Sequence, residues 1–380
     1  MPKALILNHT GLDYHYGCFA TSMALVAMLE RDGYGVQTIS VDTIAAVAQT
    51  PSDASDLTST RFYGEFHDSN PAIASSIAGA DIVVINGEGT LHGMSRRARN
   101  LLYMVMVSKH FHGKRTYLVN HSFLPTDYRS QHNAEAVAFY QSCAQCLDGA
   151  AARELRSHAI YQDMGIQCVQ AFDMLPLFAQ SYGIVRDDAA DDNDVVVLGL
   201  GVGWPPERAE SLARVVKAVM PVARSVTLLN GAPMREPPQE DTYPPLMTAV
   251  DARMKTAFEA SRAAGGDMES EARLWLNTIA NAGILITGRY HHVIAALAMG
   301  SPVIGITSNT DKIESSINLL GVNPVVIDPR EGNFEAALHG IVSSVLSGRI
   351  KAMKTDAAQR ERVLAYAAAN RIWPISPAMA

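Results

Sequence analysis

Between residues 283 and 306 the chain reads GILITGRYHHVIAALAMGSPVIGI, and its polar residues fall together at Thr287, Gly288, Arg289, His291 and His292. An arginine offers a planar, permanently charged fork that matches a carboxylate or a phosphate. A lone arginine usually pairs with a surface carboxylate, but Arg-x-His-His on one turn reads as an anion site. Adjacent residues of a helix diverge by about 100°, so His291 is assigned to the site and His292 to packing or hydrogen bonding beside it. A second constellation is NGEGTLHG at 86–93, where Gly87 and Gly89 flank Glu88 and His92 follows. Glycine lets a backbone approach a ligand closely, and Glu88 stands where a general base, a nucleophile or a hydroxyl acceptor would be placed. The plainer reading makes Glu88 a cap for the next helix. A third polar turn, NHTGLDYHYG at 8–17, carries Asn8, His9, Asp13, His15 and Gly17, and Asn120-His121-Ser122 makes a fourth. With no HExxH and with scattered histidines, no metal site is expected.

These residues need elements to hold them at strand ends. Ile284–Thr287 and Val303–Ile306 are short apolar runs, and 293–299 is an alanine-rich helical run, which together make the βαβ unit of a parallel sheet. Arg289 and the histidines then occupy the turn at a strand's carboxyl end, where open α/β sheets bind ligands and a helix N-terminus favours negative charge. The chain opens in the same way, with strands at 3–7 and 36–41 around a helix at 18–29. A strand at 81–85 leads into the Glu88 turn, and one at 116–120 leads into Asn120. The pattern restarts at 195–200, with Gly199, Gly201, Gly203 and Trp204 at the turn. Residues 48–72 read as a long polar loop and 232–250 as a proline-rich lip. The acidic stretch 181–194 reads as a linker, giving an N-terminal domain over 1–180 and a C-terminal domain over 195–380. The last helix is expected to pack back on the N-terminal domain. The predicted class is α/β: two Rossmann-like parallel-sheet domains facing a central cleft, glycosyltransferase-B-like, with ligands held between them.

Composition narrows the classes of function. A chain of 380 residues exceeds one typical core, and 48% hydrophobic with 18% charged residues is ordinary for a globular protein. A formal net charge of −7 argues against non-specific nucleic-acid binding. No apolar run nears the ~20 residues of a membrane span, and MPKALILN enters a strand without signal-peptide architecture. Four cysteines do not suggest a disulfide framework, so a cytoplasmic protein is expected.

Taken in order, these motifs resemble the polysaccharide pyruvyl transferase family. The resemblance begins at the polar turn ending Tyr16-Gly17 and continues through DIVVI with its glycine-rich loop. It then takes in Ala152-Arg153-Glu154 with Ser157 and Gly165, and Asp173. Its most specific part runs from Gly288-Arg289-Tyr290-His291 through Ala295, Gly300, Pro302 and Lys312. The resemblance implies a fold like that of bacterial sialyltransferases, and transfer of an enolpyruvyl-derived group from phosphoenolpyruvate to a sugar as a ketal. It implies that Arg289 and His291 hold the donor's phosphate and carboxylate, with Arg153 a further candidate and the sugar near the 8–16 and 86–93 turns. Catalytic candidates are then Glu88, His291 and Asp173. Substrate-binding candidates are Arg289, Arg153, Asn8, His15, Gly17, Gly87, Gly89, His92, Asn120, Gly288, His292 and Lys312. The family's loop after the DIVVI-type strand is usually an almost pure glycine run, whereas this chain carries Glu88 there.

Two further readings therefore stand beside pyruvyl transfer: a glycosyltransferase using a CMP-activated acidic sugar, and a non-catalytic saccharide-binding protein of the same fold. The expected partners are an anionic small-molecule donor and a saccharide acceptor, without cofactor, nucleic acid or transmembrane segment. Peripheral association with a membrane assembly is compatible with each reading.

Overall fold

The computed structural model describes residues 1–11, 15–126, 133–187, 194–198, 206–219, 221, 223, 225–229, 231, 254–256, 267–307 and 310–376. Asp13, the 199–203 glycines with Trp204, the 232–250 lip and residues 188–193 of the acidic stretch lie outside the described residues. The chain divides into two compact units: Met1–Leu12, Thr21–Met174 and Tyr366–Ala380 in unit 1, Asp13–Ala20 and Leu175–Ala365 in unit 2. The division thus falls after Met174 rather than within 181–194, and the C-terminal residues belong to unit 1. No described helix is long and apolar enough to cross a membrane.

Unit 1 is built on a parallel sheet of β1 (Lys3–His9), β2 (Gly35–Ser40), β3 (Ile82–Asn86), β4 (Arg115–His121), β5 (Gly149–Ala152) and β6 (Val169–Gln170). The strand order is β2-β1-β3-β4-β5-β6. β3 is buried along its whole length, as a continuous apolar run in a sheet covered on both faces should be. Chain direction across the sheet reverses between β1 and β3, the switch point where α/β sheets open a crevice at their carboxyl edge. The three neighbouring strands β1, β3 and β4 all carry asparagine at that edge: Asn8, Asn86 and Asn120. Asn8 and Asn120 have φ of 64° and 52°, a left-handed conformation that asparagine tolerates better than most residues.

Residues 48–72, expected as a loop, are largely helical. A 3-10 turn, Ala54–Thr58, follows the cap Asp53, and the helix Thr60–Ser69 follows the cap Ser59. The helix Pro71–Gly79 starts on its proline. Aromatic residues of the helix Thr60–Ser69 supply a reason for its order: Tyr63 stacks on Phe111 at 4.1 Å, and Phe62 and Phe66 meet Tyr103 edge-on. The C-terminal segment is tied down through Asp32, whose Oδ2 accepts from Arg371 Nε (2.7 Å) and Trp373 Nε1 (2.9 Å).

Unit 2 holds the second parallel sheet: β7 (Asp194–Leu198), β8 (Ser225–Leu228), β9 (Met254–Thr256), β10 (Ile284–Thr287), β11 (Val303–Ile306) and β12 (Val326–Ile327). Its order, β12-β11-β10-β7-β8-β9, is the doubly wound dinucleotide-domain pattern, with the switch point between β7 and β10. The helix Tyr290–Met299 follows β10, is buried nearly all round and ends on Gly300 at φ 77°. Each sheet therefore presents one of the two chemistry-bearing turns at its own switch point.

Candidate functional site

In unit 1 the turn after β3 places Glu88 in a polar lattice. Glu88 is 3% exposed, and its Oε2 accepts from the hydroxyls of Thr10 (2.9 Å) and Thr21 (3.1 Å). Its backbone N–H donates to Asn86 Oδ1 at 3.3 Å. Asn8 Nδ2 donates to Asn86 O (2.6 Å) and to Thr90 Oγ1 (3.1 Å), while Thr90 Oγ1 donates to Glu88 O (3.0 Å). Because Asn8 spends its amide donors on these oxygens, its Oδ1 is the atom left over, buried and without a hydrogen-bond partner among the described residues. Asn120 extends the lattice by donating to Asn86 Oδ1 (3.2 Å) and accepting from Met174 N (3.2 Å). Asn370, from the C-terminal segment, accepts from Asn120 N (2.8 Å) and donates to Phe172 O (2.7 Å). The following helix, Arg96–Met106, takes its cap from Ser95, so Glu88 is not spent on that task.

The glycines beside Glu88 have separate reasons. A Cβ on Gly87 would lie 2.4 Å from His121 Cβ, and Gly89 sits at φ 66°. His92 is half-buried and pairs in a short bridge with Leu124. His121 is fully buried with Nε2 3.0 Å from Tyr161 OH, and burial, then the Arg153 charge, pushes its pKa down to about 3. Arg153 and Asp173 form an ion pair at 2.9 Å in which both side chains are fully buried. Arg153 Nε also donates to Ser122 Oγ (3.2 Å), and Glu154 caps the helix Leu155–Asp163 by accepting from Ser157 N. In this chain the Ala152-Arg153-Glu154 motif thus spends its charges on the interior of unit 1.

In unit 2 the turn after β10 is shorter than the sequence suggests. The helix begins at Tyr290, so His291 and His292 lie in its first turn and Arg289 is its N-cap. The turn is closed by Arg289 N, which donates to Thr287 Oγ1 at 3.1 Å, after the buried Gly288. Arg289 makes no side-chain cap, and the first turn contains no acid. An N-terminus in that state favours an anion. The two histidines diverge: His291 stands 5.1 Å, ring to ring, from His15, while His292 meets Trp275 edge-on at 5.1 Å. Nδ1 of His292 and Nε1 of Trp275 are buried without a hydrogen-bond partner among the described residues. Lys312 lies 5.3 Å over the ring of Tyr290. Burial holds His15 well below the ordinary imidazole value, and the charges of His291, His292, Arg289 and Lys312 push in the same direction. His292 is likewise depressed, by burial first and then by Arg289 and His291.

Gly17 makes this convergence sterically feasible, because a Cβ there would fall 2.4 Å from His291 Cβ. Cys18 joins the group with its Sγ 3.1 Å from His15 Nε2. The ligand atoms offered by His15, Cys18 and His291 lie within 4.8 Å of one another. Sequence reasoning passed over Cys18, although His15-x-x-Cys18 at a helix start is a readable spacing. It also missed Thr10, Thr21 and Asn370, and nothing local in the sequence marks Asn370.

The fold is glycosyltransferase-B-like. Similar solved structures include UDP-GlcNAc 2-epimerase from Methanocaldococcus jannaschii (TM-score 0.55, 12% identity, 96% of this chain and 99% of that one). The UDP-GlcNAc 2-epimerase from Neisseria meningitidis, bound to UDP-GlcNAc, aligns at TM-score 0.55 and 9% identity over 98% of each chain. At such identities the likeness concerns fold alone. No curated protein matches the sequence. The polysaccharide pyruvyl transferase family matches it over residues 15–310, from the His15 turn past the Arg289 helix. Covering well over half of the sequence and the Arg289 helix itself, that match settles the kinship: the chain belongs to the polysaccharide pyruvyl transferase family, and it is a transferase acting on a saccharide.

Proposed function

We propose that the chain transfers the enolpyruvyl-derived group of phosphoenolpyruvate to a sugar as a ketal. In that reaction two sugar oxygens join C2 of the donor, C3 gains a proton and phosphate leaves. The observation that carries the reading is the gathering of Arg289, His291, His292 and Lys312 around His15, at a helix N-terminus with no acid in its first turn. A donor bearing both a phosphate and a carboxylate suits the positive charges of Arg289 and Lys312, and Arg289 fits either group. His291 is assigned to the donor beside Arg289, as the family resemblance implies.

Unit 1 is assigned to the sugar. Glu88 takes the role of base toward a sugar hydroxyl, with Thr10 and Thr21 holding its carboxylate. Asn8 Oδ1, a buried acceptor without a partner among the described residues, is assigned to a donated sugar hydroxyl. The internal ion pair of Arg153 and Asp173 is assigned to bracing unit 1 rather than to the donor.

One observation favours a second reading, a CMP-activated acidic sugar as donor: Glu88 places a buried carboxylate, held by Thr10 and Thr21, at the carboxyl edge of β3. Calorimetric titration of the purified chain with phosphoenolpyruvate and, separately, with CMP decides between them. Stoichiometric binding of phosphoenolpyruvate that Arg289→Ala removes is expected. Binding of CMP with none of phosphoenolpyruvate would replace this reading with the second.

A further inference from the structure

We propose that His15, Cys18 and His291 of unit 2 form a binding site for a zinc-type divalent cation. Two imidazoles and one thiolate are the nitrogen–sulfur set that selects zinc or cobalt over magnesium or calcium. His15 Nε2 and Cys18 Sγ are already 3.1 Å apart, and the three ligand atoms lie within 4.8 Å of one another. Tetrahedral zinc with bonds of about 2.0–2.3 Å sets its ligands about 3.3–3.6 Å apart, so closing on an ion asks for side-chain adjustment, not refolding.

The local structure is built to make this approach. His15 precedes the first residue of the helix Tyr16–Arg31 and Cys18 lies in its first turn, so the spacing of three puts both on one side. Position 17 between them carries no side chain, and any Cβ there would collide with His291. Without an ion, His15 Nδ1 accepts a long 3.3 Å contact from Cys18 N, which leaves the imidazole proton on Nε2, directed at the sulfur. A metal takes the place of that proton. Binding releases the thiol proton to solvent and moves the imidazole proton to Nδ1, at the cost of the long contact. Arg289 and Lys312 belong to the same cluster and oppose a cation, so the affinity expected is below that of a closed four-ligand zinc site.

Unit 2 supplies three ligands where a closed structural zinc site has four. A carboxylate or phosphate oxygen of the donor is assigned as a further ligand, and this one point rests on the donor assignment above. The site itself is tested with no donor present, so the two ideas fail separately. Full-length chain is stripped with chelator and titrated with cobalt(II), following the thiolate-to-cobalt band in the near ultraviolet and the metal bound per chain. One cobalt per chain is expected, with the band absent in Cys18→Ser and the affinity falling roughly 100-fold or more in Cys18→Ser and His291→Gln. Thermal melting of each metal-free variant checks that it folds, and Cys18→Ala replaces the serine variant if that one does not. Cobalt that does not bind, that binds without the band, or that binds Cys18→Ser as tightly as the parent would overturn the proposal.

Discussion

The two candidate turns are ordered in opposite ways. After β3, polar groups hold one another: Asn8, Asn86, Asn120 and Asn370 link into one buried lattice, and the Glu88 carboxylate receives two hydroxyls. After β10, burial first and then the charges of the neighbouring His291, His292, Arg289 and Lys312 keep His15 neutral. A lattice of mutual hydrogen bonds fixes geometry before any substrate arrives. A like-charged cluster keeps repulsion in reserve, and a bound anion relieves it. The first arrangement suits a group that must be aimed and the second a group that must be held. This contrast is the basis for assigning, in the function proposed, the sugar to unit 1 and the donor to unit 2.

The strongest break in that contrast comes from Glu88→Gln. Shape and hydrogen-bonding capacity remain while basicity goes, so turnover is expected to drop about 10²–10⁴-fold with phosphoenolpyruvate affinity unchanged. Single-turnover rates and melting temperature on the same variant are the check. A destabilised variant with near-normal turnover would move Glu88 into the lattice as a purely structural member.

Arg289→Ala acts on the other side. Donor binding should weaken by roughly 2–5 kcal/mol, the range for removing one partner of a desolvated charge pair. Thermal melting of the same variant separates a loss of binding from a loss of fold. Normal calorimetric affinity for phosphoenolpyruvate in this variant would end the capture reading.

Asn370→Ala asks whether the lattice supplies the order of unit 1. It leaves Asn120 N and Phe172 O, both buried, short of a partner, at a cost of about 1–3 kcal/mol. Urea unfolding measures the loss, and a change no larger than that of an exposed control would place the source of order elsewhere.

The smallest expected effect is in protons. Donor charge offsets the cationic neighbours of His15, so its pKa rises on binding and the complex carries more protons than the free chain. Phosphoenolpyruvate affinity should accordingly strengthen as pH falls below the ordinary imidazole value of about 6.5, with proton uptake visible as a buffer-dependent binding heat. His121 of unit 1 takes no part in that window, since burial keeps it neutral down to about pH 3. Stability has its own sign. His15, His121 and His292 all have depressed folded-state values, so the unfolded chain binds more protons below about pH 6.5 and stability declines as pH drops further. An affinity that weakens on acidification while the chain stays folded would remove His15 from the donor side.

What the sequence made legible was periodic or contiguous. β1, β3, β10 and β11 are unbroken apolar runs of a sheet buried on both faces, and the polar turns after them can be placed from the runs alone. The 3-10 turn and the helix inside 54–69 were hidden because their segments are short and mostly polar, and the order of the helix comes from aromatic contacts to Tyr103 and Phe111. β5, Gly149–Ala152, has no β-branched or aromatic residue, and becomes a strand because β4 and β6 pair with it. The helix after β10 starts three residues early because the Thr287 hydroxyl closes the turn.

By itself the sequence determined the α/β class, the family, and the strand ends from which chemistry must come, since these follow from local periodicity and short motifs. Tertiary structure decided which polar residues share a neighbourhood. Asn370 reaches Asn120 across 250 positions, Cys18 reaches His291 past a glycine, and Arg153 is paired with Asp173. The physical reason is that strand order sets which edge residues become neighbours, and close packing sets which side chains fit between them. Neither quantity is local in the chain.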